Sequence, residues 1–237
     1  MASPYFFVPD LHGNSVVLDE DTSKHVVGVL RKTRGAELLL TNGLGARARA
    51  IITDDNRKRC AVDIVAMETL PPVQPAVAVG ISLVKNSARF EWFLEKATEI
   101  GVSDIIPLLC TRTEKEKFRA ERLNGILVSA LLQSQQTWLP RLHEPVAFDD
   151  LLKQKESWPL RYIAHCTEDR KTALTEALQG GDATSPRIIL IGPEGDFTPV
   201  EIQSALSEGF VPVALGATRL RTETAGLTAA VLLRHVQ

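Results

Sequence analysis

Hydrophobic and polar residues change rhythm once along this chain. Up to Leu70 the apolar positions come in short runs or alternate with polar ones, the period-two pattern of half-buried strands. Tyr5-Phe6-Phe7-Val8 opens the series, and Leu38-Leu39-Leu40-Thr41 runs into Asn42-Gly43, a pair that favours the backbone angles of a tight hairpin. Ala46 to Thr53 alternates small or apolar residues with Arg47 and Arg49; Asp54-Asp55-Asn56 turns the chain, and Cys60 to Val65 returns. One short helix interrupts, with Asp21 or Thr22 as its cap, His25 to Leu30 as its body and Gly35 beyond its basic end. A small β-barrel is the natural closure for such strands.

Pro71-Pro72-Val73-Gln74-Pro75 can continue neither a helix nor a central strand, and it predicts a boundary between a domain at 1–72 and another at 73–237. Beyond it, strands and helices alternate. Ala76–Val84 is apolar throughout, as a buried parallel strand requires, and Ser87 is placed to cap a helix whose Phe90, Phe93, Leu94, Ala97 and Ile100 recur at helical spacing until Gly101. Further strands are predicted at Ile105–Leu109, Tyr162–His165, Arg187–Ile191 and Val211–Leu215. The longest helix runs roughly from Glu116 to Gln136, and Thr198-Pro199-Val200-Glu201 is a capping box with proline at the first helical position. The second part is therefore α/β with a mostly parallel sheet.

Composition narrows the function classes. At 44% hydrophobic and 24% charged residues the chain is an ordinary globular protein, and no run approaches the ~18 apolar residues of a membrane span. The start has no basic n-region and no apolar h-region, so no secretory signal is read. Three cysteines, far apart and odd in number, argue for a reducing compartment and against a disulfide frame or a metal site. A cytoplasmic protein without a membrane partner is expected. The net charge of −2 does not point to nucleic acid, but the charge is uneven. Between Lys24 and Arg59 nine basic residues face three acidic ones, a candidate phosphate-facing surface in which Arg31 and Arg34 stand out. The other reading of that cluster is ordinary solvated surface.

Candidate chemistry concentrates in two loops. Ile188-Ile189-Leu190-Ile191 leads into Gly192-Pro193-Glu194-Gly195, and Val211–Leu215 leads into Gly216-Ala217-Thr218-Arg219-Leu220-Arg221-Thr222-Glu223-Thr224-Ala225. Each is a strand ending in a glycine-containing loop that enters a helix. A pair of them would lie side by side at the carboxyl edge of a parallel sheet, where open α/β folds bind ligands. Gly192, Gly195 and Gly216 would let a ligand rest on backbone, with Glu194, Arg221, Thr222 and Glu223 around it. By contrast Gly43-Leu44-Gly45-Ala46-Arg47-Ala48, which fits a dinucleotide fingerprint, follows a hairpin turn and precedes no helix. No phosphate-binding GKS/T loop, no GxSxG and no HExxH motif occurs, and the five histidines are scattered.

The order GPEG…LG…LRTETA resembles the signature of the RsmE family, the 16S ribosomal RNA (uracil-N3) methyltransferases of the SPOUT superfamily. The resemblance extends over nearly the whole chain: Phe6-Phe7-Val8, Val29-Leu30-Arg31 with Gly35, Glu95 to Val102, and Gln133-Ser134 follow in the family's order. It implies a C-terminal trefoil knot, a PUA-like first domain and S-adenosylmethionine as cofactor. Cofactor contact is carried onto Leu190, Gly192, Glu194, Gly195, Leu215, Gly216, Leu220, Arg221, Thr222 and Ala225. Uracil N3 carries a proton that must be removed, or its anion stabilised, before methylation. Glu223 and Glu194 are the candidate bases, and Arg221 and Arg112 the candidate anion-binding groups; Glu223 also has a plainer role as a helix N-terminal acid. Arg31, Arg34, Gln133 and Ser134 are the implied RNA contacts, though an arginine after a helix has a local explanation too. Lys96 between Glu95 and Glu99 is expected to form surface ion pairs.

Several positions depart from the family pattern: Tyr5, Leu132, Gln135, Gln136, Asp196 and the Thr218-Arg219 order. They bear on RNA contacts near the target base more than on the cofactor loops. Two other functions stay open at this point, a superfamily enzyme acting on transfer RNA (ribose 2′-O or guanine N1) and a non-catalytic RNA-binding assembly factor. A branched side chain at Gly192 or Gly216 is expected to fill space the cofactor needs while sparing the fold. A homodimer is implied, with the apolar helix Glu223–Val236 at its interface and Leu233 as the residue whose charging would split it.

Overall fold

The computed structural model describes residues 4–114, 118–154, 157–167 and 171–235. It packs as two compact units, residues 1–72 together with 128–139, and residues 73–127 together with 140–237.

The first unit is built on a sheet of five strands: β1 (Tyr5–Phe7), β2 (Ser15–Val17), β3 (Glu37–Thr41), β4 (Ala46–Asp54) and β5 (Ala61–Thr69). They lie in the order β1-β3-β4-β5-β2, with β1 parallel to β3 and the other pairs antiparallel. The alternation in β4 does what the sequence predicts: Ala46, Ala48, Ala50 and Ile52 enter a core with Leu38, Leu40 and Val62, while Arg47 and Arg49 face outward. The Asn42-Gly43 turn holds because the Asn42 side chain accepts from the amides of Leu44 and Ala46. Strand β2 has no counterpart in the sequence reading.

The helix between β2 and β3 begins earlier than predicted. Asp19, not Asp21 or Thr22, is its cap, accepting from the Thr22 amide, and α1 (Glu20–Ser23) passes into a wider π-helical turn at Lys24–Val29. Arg31 follows with a left-handed backbone at φ 54°. Residues 128–139 join this unit through backbone hydrogen bonds from Gly45 to Thr137 and from Leu139 to Gly43, and through the Trp138 indole donating to the Leu70 carbonyl.

In the second unit all the strands are parallel, in the order β11-β13-β10-β12-β6-β7-β8 with β9 also on β7. In chain order the elements are β6 (Val77–Ser82), α2 (Ser87–Ile100), β7 (Asp104–Leu109), α3 (Ala120–Gln133), β8 (Arg141–Leu142), β9 (Val146–Ala147), α4 (Phe148–Leu152), β10 (Leu160–Ala164), β11 (Thr172–Ala173), α5 (Leu174–Gln179), β12 (Arg187–Ile191), α6 (Pro199–Ser207), β13 (Val211–Ala214) and α7 (Thr222–His235). Strands β6 and β12 are buried at every position, which explains why they are apolar apart from Ser82 and Arg187 at their ends.

Boundaries shift by a few residues. Asn86, not Ser87, caps α2 through its side chain, and Gly101 ends it at φ 86°. Helix α3 starts at Ala120; Glu116, the predicted start, lies outside the described residues, as does Val236 at the predicted end of α7. The capping box of α6 forms as predicted, and so do the Lys96 ion pairs with Glu95 and Glu99.

Helix α7 requires a larger correction. Gly226, Ala229, Ala230 and Leu233 are buried within this chain, on the side that meets α2, β6 and β12. Leu233 has no exposed surface, so it belongs to the core of its own subunit, and charging it would unfold the protein before it could split a dimer. Only Val231 remains well exposed among the apolar residues of the helix. No helix among the described residues is long and apolar enough to cross a membrane.

Candidate functional site

Parallel pairing aligns the carboxyl ends of β10, β12 and β13, so the loops that leave them share one edge of the sheet. Between the loops after β10 and β13 opens a cleft of about 250 Å³. One wall is Ala164, His165, Cys166 and Lys171, and the other is the run Val213 to Leu220, with Ala225 at the base. Of the predicted cofactor residues, Leu215, Gly216, Leu220 and Ala225 line it directly. Gly216 adopts φ 155°, and a Cβ there would meet nothing within 4 Å, so backbone faces open space. A flat heterocycle would find amide and carbonyl groups on such an edge.

The loop Gly192–Asp196 is tied to three other parts of the unit by hydrogen bonds. Thr222 Oγ1 donates to the Gly192 carbonyl at 3.1 Å, tying the start of α7 to it. Arg112, just beyond β7, donates to the Gly195 carbonyl at 2.6 Å. Glu194 is exposed and accepts from the Lys85 amide at 3.3 Å. Leu190 is fully buried below, in the core of the unit. At Gly192 the missing side chain makes room for Phe197. A Cβ would sit 3.1 Å from the Phe197 ring and 3.2 Å from its amide nitrogen.

Asp196, which departs from the family's glycine, takes the left-handed backbone that explains the glycine, at φ 63°. Its carboxylate accepts from the Cys166 amide at 2.8 Å and from the Phe197 amide at 2.9 Å. Gln135 shows the same at φ 56°.

Glu223 does not line the cleft. It is buried at the start of α7, 3.7 Å from Arg89 of α2, while Arg221 beside it is exposed. Behind Arg112, Glu201 is buried; desolvation raises its pKa, but hydrogen bonds from Thr198 and Thr111 outweigh this and hold it below the usual value. Burial pushes the Cys110 thiol up to about 12, which disfavours the reactive thiolate.

The matching sequence families decide what kind of protein carries this cleft. Residues 72–234 match the model of the RNA methyltransferase domain. This chain belongs to that family. Residues 18–65 match the RNA methyltransferase PUA domain. A probable rRNA-methyltransferase from Porphyromonas gingivalis is 34% identical with a TM-score of 0.89, covering 98% of each chain. A ribosomal RNA small subunit methyltransferase E from Neisseria gonorrhoeae, solved bound to S-adenosyl methionine, is 27% identical with a TM-score of 0.82 over 97% of this chain and 95% of that one. The enzyme of the same name from Mycobacterium bovis is 28% identical over 97% of this chain and 90% of its own length.

The implied RNA contacts all fall in the first unit. Arg31 and Arg34 are exposed, and neither forms an ion pair among the described residues. Other members of the basic cluster are paired: Lys24 with Glu20, Arg47 with Glu68 and Arg49 with Glu37. Gln133 is exposed at the end of α3, and Ser134 donates to the Ala130 carbonyl and accepts from Gln136.

Ala164, His165, Cys166 and Lys171 were missed by the sequence reading. The signal available for them was position alone, at the carboxyl end of another parallel strand.

Proposed function

We propose that this protein methylates N3 of a uridine in the 16S RNA of the small ribosomal subunit, with S-adenosylmethionine as methyl donor. The observation that carries the reading is the cleft between the loops after β10 and β13, in a chain of the RNA methyltransferase family. The residues fit the cofactor: backbone edges around Gly216 are open on the cleft side, and Leu215 and Leu220 offer apolar contact. When bound, the cofactor supplies an electrophilic methyl group.

Leu215, Gly216, Leu220 and Ala225 would hold it directly, with Leu190, Gly192, Glu194, Gly195, Arg221 and Thr222 shaping or bordering its seat. Arg112 keeps the Gly195 loop in place. Glu223 is our candidate to accept the uracil N3 proton, and Arg221 to offset the charge that develops on the base. The pairing of the last loop with Gly192 through Thr222 is also what the trefoil threading of the SPOUT superfamily would produce.

We assign RNA binding to the PUA-like β-barrel domain at 1–72, through Arg31 and Arg34, with Gln133 and Ser134 contributing, and methyl transfer to 73–237. A homodimer acting in the cytoplasm completes the proposal, its interface including the outer face of α7 at Val231, with Trp92 of α2 also exposed.

Mass spectrometry of ribosomal RNA from a deletion strain tests the function. Loss of one 3-methyluridine from 16S RNA is the expected result. Loss of a modified nucleoside from transfer RNA would replace this reading with the alternative substrate, and unchanged RNA modification would leave an assembly factor.

A further inference from the structure

We propose that Asp196 is a positioning residue for the cofactor cleft, its carboxylate pinning the loop after β10 in place as one wall. The inference rests on the reading of that cleft as the S-adenosylmethionine site.

Asp196 stands in a left-handed conformation, φ 63°, that costs any residue with a side chain but is least costly for aspartate and asparagine. Local turn geometry alone would be served better by glycine. What the side chain adds is two hydrogen bonds. One oxygen accepts from the next amide, Phe197, and so fixes the carboxylate on its own loop. The other reaches across thirty positions of sequence to the Cys166 amide at 2.8 Å.

Cys166 belongs to the wall formed with Ala164, His165 and Lys171. The rest of that wall is tied as well: the Lys171 ammonium donates to the carbonyls of His165, at 2.7 Å, and of Thr167. In this wall Cys166 is therefore held by a carboxylate, and His165 and Thr167 by an ammonium. The opposite wall, Val213 to Leu220, continues from its own strand into α7. The width of the cleft depends on keeping the first wall fixed against the second. A carboxylate on the loop after β12 does this, so the three loops act as one seat.

Cys166 is itself a reporter of the tie. It is exposed, whereas Cys60 and Cys110 are buried and burial raises both of their pKa values. Alkylation by iodoacetamide, followed by intact mass, therefore reads Cys166. Wild type, Asp196→Gly and Asp196→Asn are compared for this rate and for S-adenosylhomocysteine affinity by calorimetry. Glycine keeps the backbone and removes both bonds; asparagine keeps the backbone tolerance and one acceptor oxygen.

Asp196→Gly is expected to weaken S-adenosylhomocysteine about tenfold, the loss of one charged hydrogen bond, and to speed alkylation severalfold without unfolding. Asp196→Asn should fall between the two in both, since its single acceptor oxygen can serve the Cys166 amide or the Phe197 amide but not both. Equal affinity and equal alkylation in Asp196→Gly and wild type would overturn the proposal. So would weaker affinity with unchanged alkylation, since the carboxylate would then act on the ligand itself. Wild-type protein that gives no saturable heat would instead overturn the cofactor reading of the cleft, while the alkylation rates would still report whether the tie holds the wall.

Discussion

Gln135 holds a left-handed backbone at φ 56° and is exposed, and its side chain makes no hydrogen bond or ion pair among the described residues. Gln135→Gly should therefore raise stability by about 1 kcal/mol, read as a higher midpoint in urea with an unchanged slope. The glycines of the two loops differ from one another in the same concrete way. Valine at Gly192 presses on Phe197, which is 1% exposed and packs its ring 5.2 Å from Phe148, so overpacking by roughly 1–3 kcal/mol should dominate its effect. The Cβ of a valine at Gly216 has nothing within 4 Å, but the residue adopts a strained backbone in the lining of the cleft. It should abolish S-adenosylhomocysteine binding with a smaller loss of thermal stability than Gly192→Val. Calorimetry and thermal melts of the two variants separate the cases, and equal melts would contradict the packing argument. The motif presents both glycines alike; only the neighbours of each Cα distinguish a packing glycine from a cleft glycine.

At the scale of elements, α6 shows how one cap serves two purposes. Glu201 closes the capping box on Thr198 and also accepts from the Thr111 amide at 2.7 Å, which joins the helix start to the loop carrying Arg112. Burial opposes the charge, but the hydrogen bonds prevail, and the carboxylate titrates below its ordinary 4.5. Its folded pKa is depressed, so its contribution is complete above the unfolded value and is lost as pH falls through the folded one. Glu201→Gln should cost about 1–2 kcal/mol at pH 7, and the gap to wild type should narrow in acid below that range. A gap that stays constant from neutral pH into acid would show that the charge contributes nothing. Helix α7 teaches a related lesson. A stretch apolar on most sides is legible as buried, but the sequence does not say whether the chain or a partner buries it. Here α2, β6 and β12 cover one side, and only the side bearing Val231 is left.

The whole molecule joins two chemistries, and each can be tested separately. If Arg31 and Arg34 meet phosphate, Arg31→Ala with Arg34→Ala should weaken binding of a 16S RNA fragment. The slope of log affinity against log salt should fall by about 1.4–1.8, with S-adenosylhomocysteine affinity unchanged. An unchanged slope would make these arginines ordinary surface. The homodimer predicts a light-scattering mass near twice 26.0 kDa at micromolar concentration. Val231→Asp, on the outer face of α7, should shift that mass to the monomer while the far-UV spectrum stays native. A monomeric wild type at the same concentration would remove the dimer from the proposal.

Every strand but the short β2, β8, β9 and β11, the parallel sheet, the capping box of α6 and both glycine loops were readable from the sequence, because each is written in local periodicity or in a turn residue whose backbone preference is intrinsic. That the two loops share one sheet edge was readable, but that they lie side by side was not: β10 stands between β12 and β13, so its loop faces Gly216 across the cleft. What the fold alone decided is contact between residues distant in sequence. Asp19 rather than Asp21 caps the first helix; Phe197 fills the space beside Gly192; Glu223 turns toward Arg89; and residues 128–139 pack with the β-rich unit through Thr137, Trp138 and Leu139. The second wall of the cleft, with Cys166 held by Asp196, belongs to the same class. These are choices among side chains of similar local propensity, and they are settled by which partner the folded backbone brings within hydrogen-bonding or van der Waals distance, information that no window of sequence contains.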